Sequence, residues 1–131
     1  MGRFTKAVSY VALLFVVMLS VGCASLTTAS PEDQVRQRAQ QRWDALVAGN
    51  VEVAYGFLSP GTRQARSLAS YRAMIRLGFW KQAKVERVEC PSAETCKVVV
   101  VVEYMFRGSL VPSPIKEEWV WRDRQWWAVA G

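Results

Sequence analysis

The sequence predicts an α+β domain in which amino-terminal helices pack on an antiparallel sheet of about four strands. Three observations predict it. Apolar residues recur at helical spacing from Val35 to Val47. After Gly78 the period changes to the two-residue alternation of strands. Two turn signals, Pro91 to Thr95 and Asp123-Arg124, each separate runs rich in Val or Trp, as hairpins require.

The first helix is expected over residues 31 to 48. Ser30 supplies an N-cap, Pro31 suits the first helical position, and Asp33 stands three residues after the cap. Val35, Ala39, Trp43, Leu46 and Val47 form its apolar stripe, and Gly49-Asn50 stops it. A shorter helix is expected from Val51 to Leu58, ending before Ser59-Pro60-Gly61. A third begins at Ser67 or Ser70 and runs to about Leu77, with Leu68, Tyr71 and Ile75 inward.

Ala83 to Cys90 and Cys96 to Arg107 then read as a hairpin. Setting Cys90 against Cys96 pairs Glu89 with Lys97 and Val88 with Val98, and the opposite charges favour that register. The same count would put Glu86 and Lys84 on the apolar face, so a bulge is expected between Val85 and Val88. Gly108 to Pro114 reads as a proline-containing connection. Glu117 to Arg122 and Gln125 to Val129 close the domain as a second hairpin, pairing Trp121 with Trp126 and Trp119 with Ala128.

Ahead of this domain, Arg3 and Lys6 precede a mostly apolar segment from Ala7 to Leu19 that ends in small residues and Cys23, the layout of a secretory leader. The run Leu19-Ser20-Val21-Gly22-Cys23 resembles the lipobox of bacterial lipoproteins, with Ser20 where that family usually has Leu. The resemblance implies a signal peptide over residues 1–22, acyl chains such as palmitate on Cys23, a lipidated tether over 23–30, and the globular domain over 31–131. With Ala24 after the cysteine, it implies the outer membrane facing the periplasm. An uncleaved inner-membrane anchor with a periplasmic domain is the alternative, although the apolar part is short against the roughly 20 residues a span needs.

Removing residues 1–22 leaves 109 residues, enough for one core. It also takes Arg3 and Lys6 away, leaving 15 Lys and Arg against 11 Asp and Glu, a net +4. These charges are spread along the chain, which speaks against nucleic acid. In an oxidising compartment Cys90 and Cys96 are expected to form a disulfide, with free thiols or a redox pair as the alternatives.

Arg42-Trp43-Asp44-Ala45-Leu46, Tyr55-Gly56-Phe57-Leu58-Ser59-Pro60 and Glu118-Trp119-Val120-Trp121-Arg122-Asp123-Arg124-Gln125-Trp126-Trp127, in this order of elements, resemble the nuclear transport factor 2-like superfamily, including SnoaL-like domains. The resemblance implies a cone of helices closed by a curved sheet around a pocket. Some members of that superfamily use the pocket for ligands or catalysis; others dimerise or bind protein.

The chain has no histidine, which removes Ser-His and Cys-His catalysis and a near-neutral imidazole base. No metal-ligand spacing, phosphate-binding loop or nucleophile elbow occurs, so neither metal nor cofactor is expected. Asp44, Tyr71 and Glu103 are the groups an enzyme would have to use. Tyr104, Trp119, Trp121 and Trp126 are candidates to line a site for a small apolar ligand. Val99, Val101, Met105 and Trp127 on the other sheet face are candidates for contact with a protein partner or a second copy. The expected function is a non-enzymatic, membrane-anchored protein-binding domain, for instance an accessory subunit of an envelope or membrane complex. Binding of a small apolar ligand in the cavity is the alternative.

Overall fold

The computed structural model describes residues 28–129. The expected leader and Cys23 lie outside the described residues. Among the described residues the domain is α+β, with four helices packed against one four-stranded antiparallel sheet in the order β1-β2-β3-β4.

Helix α1 spans Pro31–Val47. Its first turn is closed by Ser30, whose Oγ accepts from the Asp33 N–H at 3.1 Å and donates to the Asp33 carboxylate at 2.8 Å. Gly49 ends the turn at φ +83, a conformation that costs glycine little. Helix α2 (Val51–Gly56) follows, then α3 (Pro60–Ala65) and α4 (Leu68–Met74). Helix α2 ends before Ser59-Pro60-Gly61, as expected, but α3 is an element the sequence reading did not include. Ser59 Oγ accepts from the Thr62 N–H at 3.2 Å with Pro60 in the first turn, so Ser-Pro opens a helix here as it does at Ser30-Pro31.

Strands β1 (Trp80–Ser92) and β2 (Thr95–Phe106) pair with Glu89 opposite Lys97 and Val88 opposite Val98, the register the charges favour. The expected bulge is present as a shift between Val85 and Arg87, leaving Glu86 as the extra, exposed residue. Strand β3 is longer than expected, running from Ser109 to Arg122 along the whole of β2. The segment expected as a connection is therefore strand. Its prolines fit because strand residues alternate the side on which their N–H groups point. Trp121 donates toward β2, to the Glu94 carbonyl, so the even-numbered positions face away from it. Pro112 and Pro114 lie on that outward side, where β4 (Gln125–Val129), paired only with Glu118 to Arg122, does not reach. An edge that lacks two donors is a poor template for a further strand.

The core lies between α1 and one sheet face. Val35, Ala39, Trp43 and Leu46 meet Val98, Val100, Val102, Trp119, Trp126 and Ala128, all buried. Both outer strands are capped by the helical layer. On β1, Gln40 donates to the Ala83 carbonyl and accepts from the Val85 N–H, each at 2.9 Å, and Arg36 donates to the Val85 carbonyl at 3.1 Å. On β4, Arg38 donates to the Trp126 carbonyl at 2.9 Å, while Ala128 bonds Phe57 and Ser59 through the backbone. Edge groups point along the plane of a sheet. A helix lying over its face reaches both edges only because the sheet curls around it.

Candidate binding cleft and its buried polar cluster

A cleft of about 900 Å³ opens between α1, α4 and the inner face of β2 and β3. Leu58, Tyr71, Met74, Ile75, Trp80 and Ile115 contribute its apolar wall, and Arg42, Trp43 and Glu117 belong to its polar lining together with Arg66, Arg87, Glu89, Lys97, Lys116 and Glu118. Helical and strand periods bring the buried pair, Arg42 and Glu117, to it. Arg42 is seven residues after Val35, two turns on, and so shares the buried stripe of α1. Glu117 lies two before the fully buried Trp119 and opposite Val98, on the core face of β3.

The Glu117 side chain is 9% exposed and that of Arg42 is 8%. One Glu117 oxygen accepts from Arg42 Nη1 and from Trp43 Nε1 at 2.9 Å; the other accepts from Trp119 Nε1 at 3.1 Å. Arg42 also donates from Nη2 to the Tyr71 hydroxyl at 3.1 Å, while its Nε is buried without a partner. Tyr71 packs on Tyr55, ring centroids 5.4 Å apart, and the Tyr55 hydroxyl donates to the carbonyls of Arg63 and Arg66. Trp43 meets Trp80 edge to face at 5.2 Å. The carboxylate thus gathers three donors from α1 and β3 into one rigid cluster, with apolar walls around it.

Among the expected ligand residues, Trp119 and Trp126 are buried in the core, and Trp121 is half-buried, tilted on Trp126 at 5.5 Å. Tyr104 stacks on Phe79 at 4.9 Å. None of the four lines the cleft; Trp119 acts on it through Glu117. Of the three groups named for an enzyme, Tyr71 lines the cleft. Glu103 borders a smaller cavity of about 440 Å³ beside the β1 bulge, and Asp44 is exposed, accepting from Gln40. On the outer sheet face Val99 and Val101 are half-buried, Met105 is exposed, and Arg63 covers the Trp127 ring at 5.4 Å.

The disulfide expected of Cys90 and Cys96 is present, across the β1–β2 turn. Burial lowers the Arg38 guanidinium from its ordinary value by desolvation, and it stays charged at neutral pH. Among the described residues no group of His, Cys, Asp or Glu could hold a metal ion, and no helix is long and apolar enough to cross a membrane.

The sequence marks Glu117 only as the first residue of a closing strand. The signal that it is buried is its two-residue spacing from Trp119. Arg42 carried the matching signal on α1.

No family model and no curated protein matches the chain. Solved structures do. A SEC-C motif containing protein from Psychrobacter arcticus is similar at TM-score 0.63 and 13% identity, over 79% of this chain and 63% of that one. The solution structure of a SEC-C motif containing protein from Rhodopseudomonas palustris is similar at 0.57 and 10%, over 71% and 73%. The Chlamydamonas reinhardtii CamKII hub homology domain, of the nuclear transport factor 2-like kind, is similar at 0.50 and 18%, over 76% and 94%. These identities show a shared fold alone. They correct the family reading, since the SEC-C motif proteins match with higher TM-scores than the nuclear transport factor 2-like domain, and none of these matches supports the lipoprotein resemblance.

Proposed function

We propose that the domain is a non-enzymatic binding module whose cleft takes a small, largely apolar ligand with one polar end. The observation that carries this is the cleft itself. Its volume of about 900 Å³ falls within the range of small-molecule sites, and its wall joins Tyr71, Met74, Ile75 and Trp80 to the Arg42–Glu117 cluster. Because both charged groups are held by partners within the fold, the cluster suits orienting a ligand by a hydrogen bond more than gripping an ion.

Native mass spectrometry of gently purified protein, with titration of anilinonaphthalene sulfonate as a surrogate apolar ligand, tests this. One equivalent is expected to bind. Met74→Arg, at an exposed position of the wall, is expected to weaken binding about tenfold without unfolding the domain. A ligand-free spectrum together with probe binding unchanged by Met74→Arg would sink the reading.

The proposal extends to location. The leader-like sequence pattern ahead of Cys23 and a disulfide between Cys90 and Cys96 support a membrane-anchored module on the oxidising side of a bacterial inner membrane. The mass of the amino-terminal peptide from cells reads the anchor, and a cytosolic full-length chain with reduced cysteines would refute the location. A protein partner on the outer sheet face draws less support, because Arg63 covers Trp127 and the two valines are half-buried.

A further inference from the structure

We propose that the tip of the β2–β3 hairpin is a membrane-contact site that inserts its apolar side chains among the lipids of an anionic phospholipid bilayer. Met105, Phe106 and Leu110 are 47%, 55% and 46% exposed, beyond the end of the core that closes at the buried Val102. Met105 and Leu110 face each other on the outer sheet face, whereas Phe106 belongs to the opposite one. The finger is therefore apolar on both sides of a turn, Arg107-Gly108, held at φ 49 and 81.

Three observations select a lipid surface over a protein. Residues 104–116 contain Arg107 and Lys116 and no carboxylate, and Arg76 flanks the base of the finger over Phe79, which stacks on Tyr104. A projecting tip that is apolar on both faces is not covered by one flat protein surface, while a fluid acyl boundary surrounds it on all sides. Pairing with another strand is disfavoured along this same edge, because Pro112 and Pro114 remove two of its donors. Arg107, its guanidinium 5.3 Å from the Phe106 ring centre, stands where an interfacial cation meets phosphate while the ring goes deeper.

Oxidation footprinting tests this on the full-length chain, with the rate of Met105 in the absence of vesicles as the reference. Chloramine-T is applied with phosphatidylcholine vesicles, with and without phosphatidylglycerol, and peptides are read by mass spectrometry. Met105 is expected to be oxidised about tenfold more slowly on anionic vesicles than without vesicles. Phe106→Ser with Arg107→Glu is expected to restore the vesicle-free rate; both positions are exposed, so the melting temperature should hold. A wild-type Met105 rate unchanged by anionic vesicles would overturn the proposal. So would protection of Met105 without vesicles that rises with protein concentration and dimer mass, which would make a second copy the occupant. Neither result bears on what fills the cleft.

Discussion

Glu117→Ala is expected to be among the most damaging single substitutions in the domain. With both side chains under a tenth exposed, solvent does little to screen the Arg42 charge once its partner is gone. Breaking a buried pair by removing one member costs about 3–5 kcal/mol. The indole N–H groups of Trp43 and Trp119 lose their acceptor as well, at about 1 kcal/mol each. Neighbouring losses are not additive, so a total of about 5 kcal/mol is the working figure. That is of the order of the whole stability of a small domain and lowers its melting temperature by at least about 20 °C. Urea unfolding followed by tryptophan emission reads it at the site, since Trp43 and Trp119 are the orphaned donors; circular dichroism checks the backbone. Replacing both charges, Arg42→Met with Glu117→Leu, removes the stranded cation and is expected to recover more than half of the loss. A cost below about 1 kcal/mol for Glu117→Ala, or a double variant as unstable as the single one, would refute this account of the cluster.

Cys90→Ala with Cys96→Ala is expected to lower stability by about 2 kcal/mol, the small effect of closing a short loop, seen as an earlier urea midpoint with an unchanged slope. Arg124→Gly should raise stability by about 0.5 kcal/mol and the melting temperature by about 2–4 °C, because Asp123 and Arg124 both hold positive φ in the β3–β4 turn. Gln40→Leu leaves the edge groups of Ala83 and Val85 unpaired. It should cost about 1–2 kcal/mol and increase light scattering on mild heating, as β1 becomes available to other chains.

Much of the fold was legible because its signals are local or periodic. The facing charges of Glu89 and Lys97 set the β1–β2 register, and the clash of Glu86 and Lys84 with the apolar face located the bulge before Val88. What escaped was structure whose sequence signs are ambiguous. Ser59-Pro60 is as good a helix start as a stop, and the cap bond to Thr62 decides which. Pro112 and Pro114 read as a break, yet on the outward-facing side of an edge they cost no ladder bond.

The site was less legible than the fold because its chemistry joins two residues 75 positions apart. Charge alone argues that Arg42 and Glu117 are solvated. Periodicity argues the opposite, since each occupies the apolar phase of its own element, one turn from Ala39 and two residues from Trp119. Opposite charges on two stripes that must face each other across one core have one low-cost arrangement, which is to meet. The tryptophans mislead in the converse way. They are the most visible apolar groups of the closing hairpin, and for that reason the core takes Trp119 and Trp126, leaving the cleft to Tyr71, Met74 and Ile75 from a short helix and the residue that follows it.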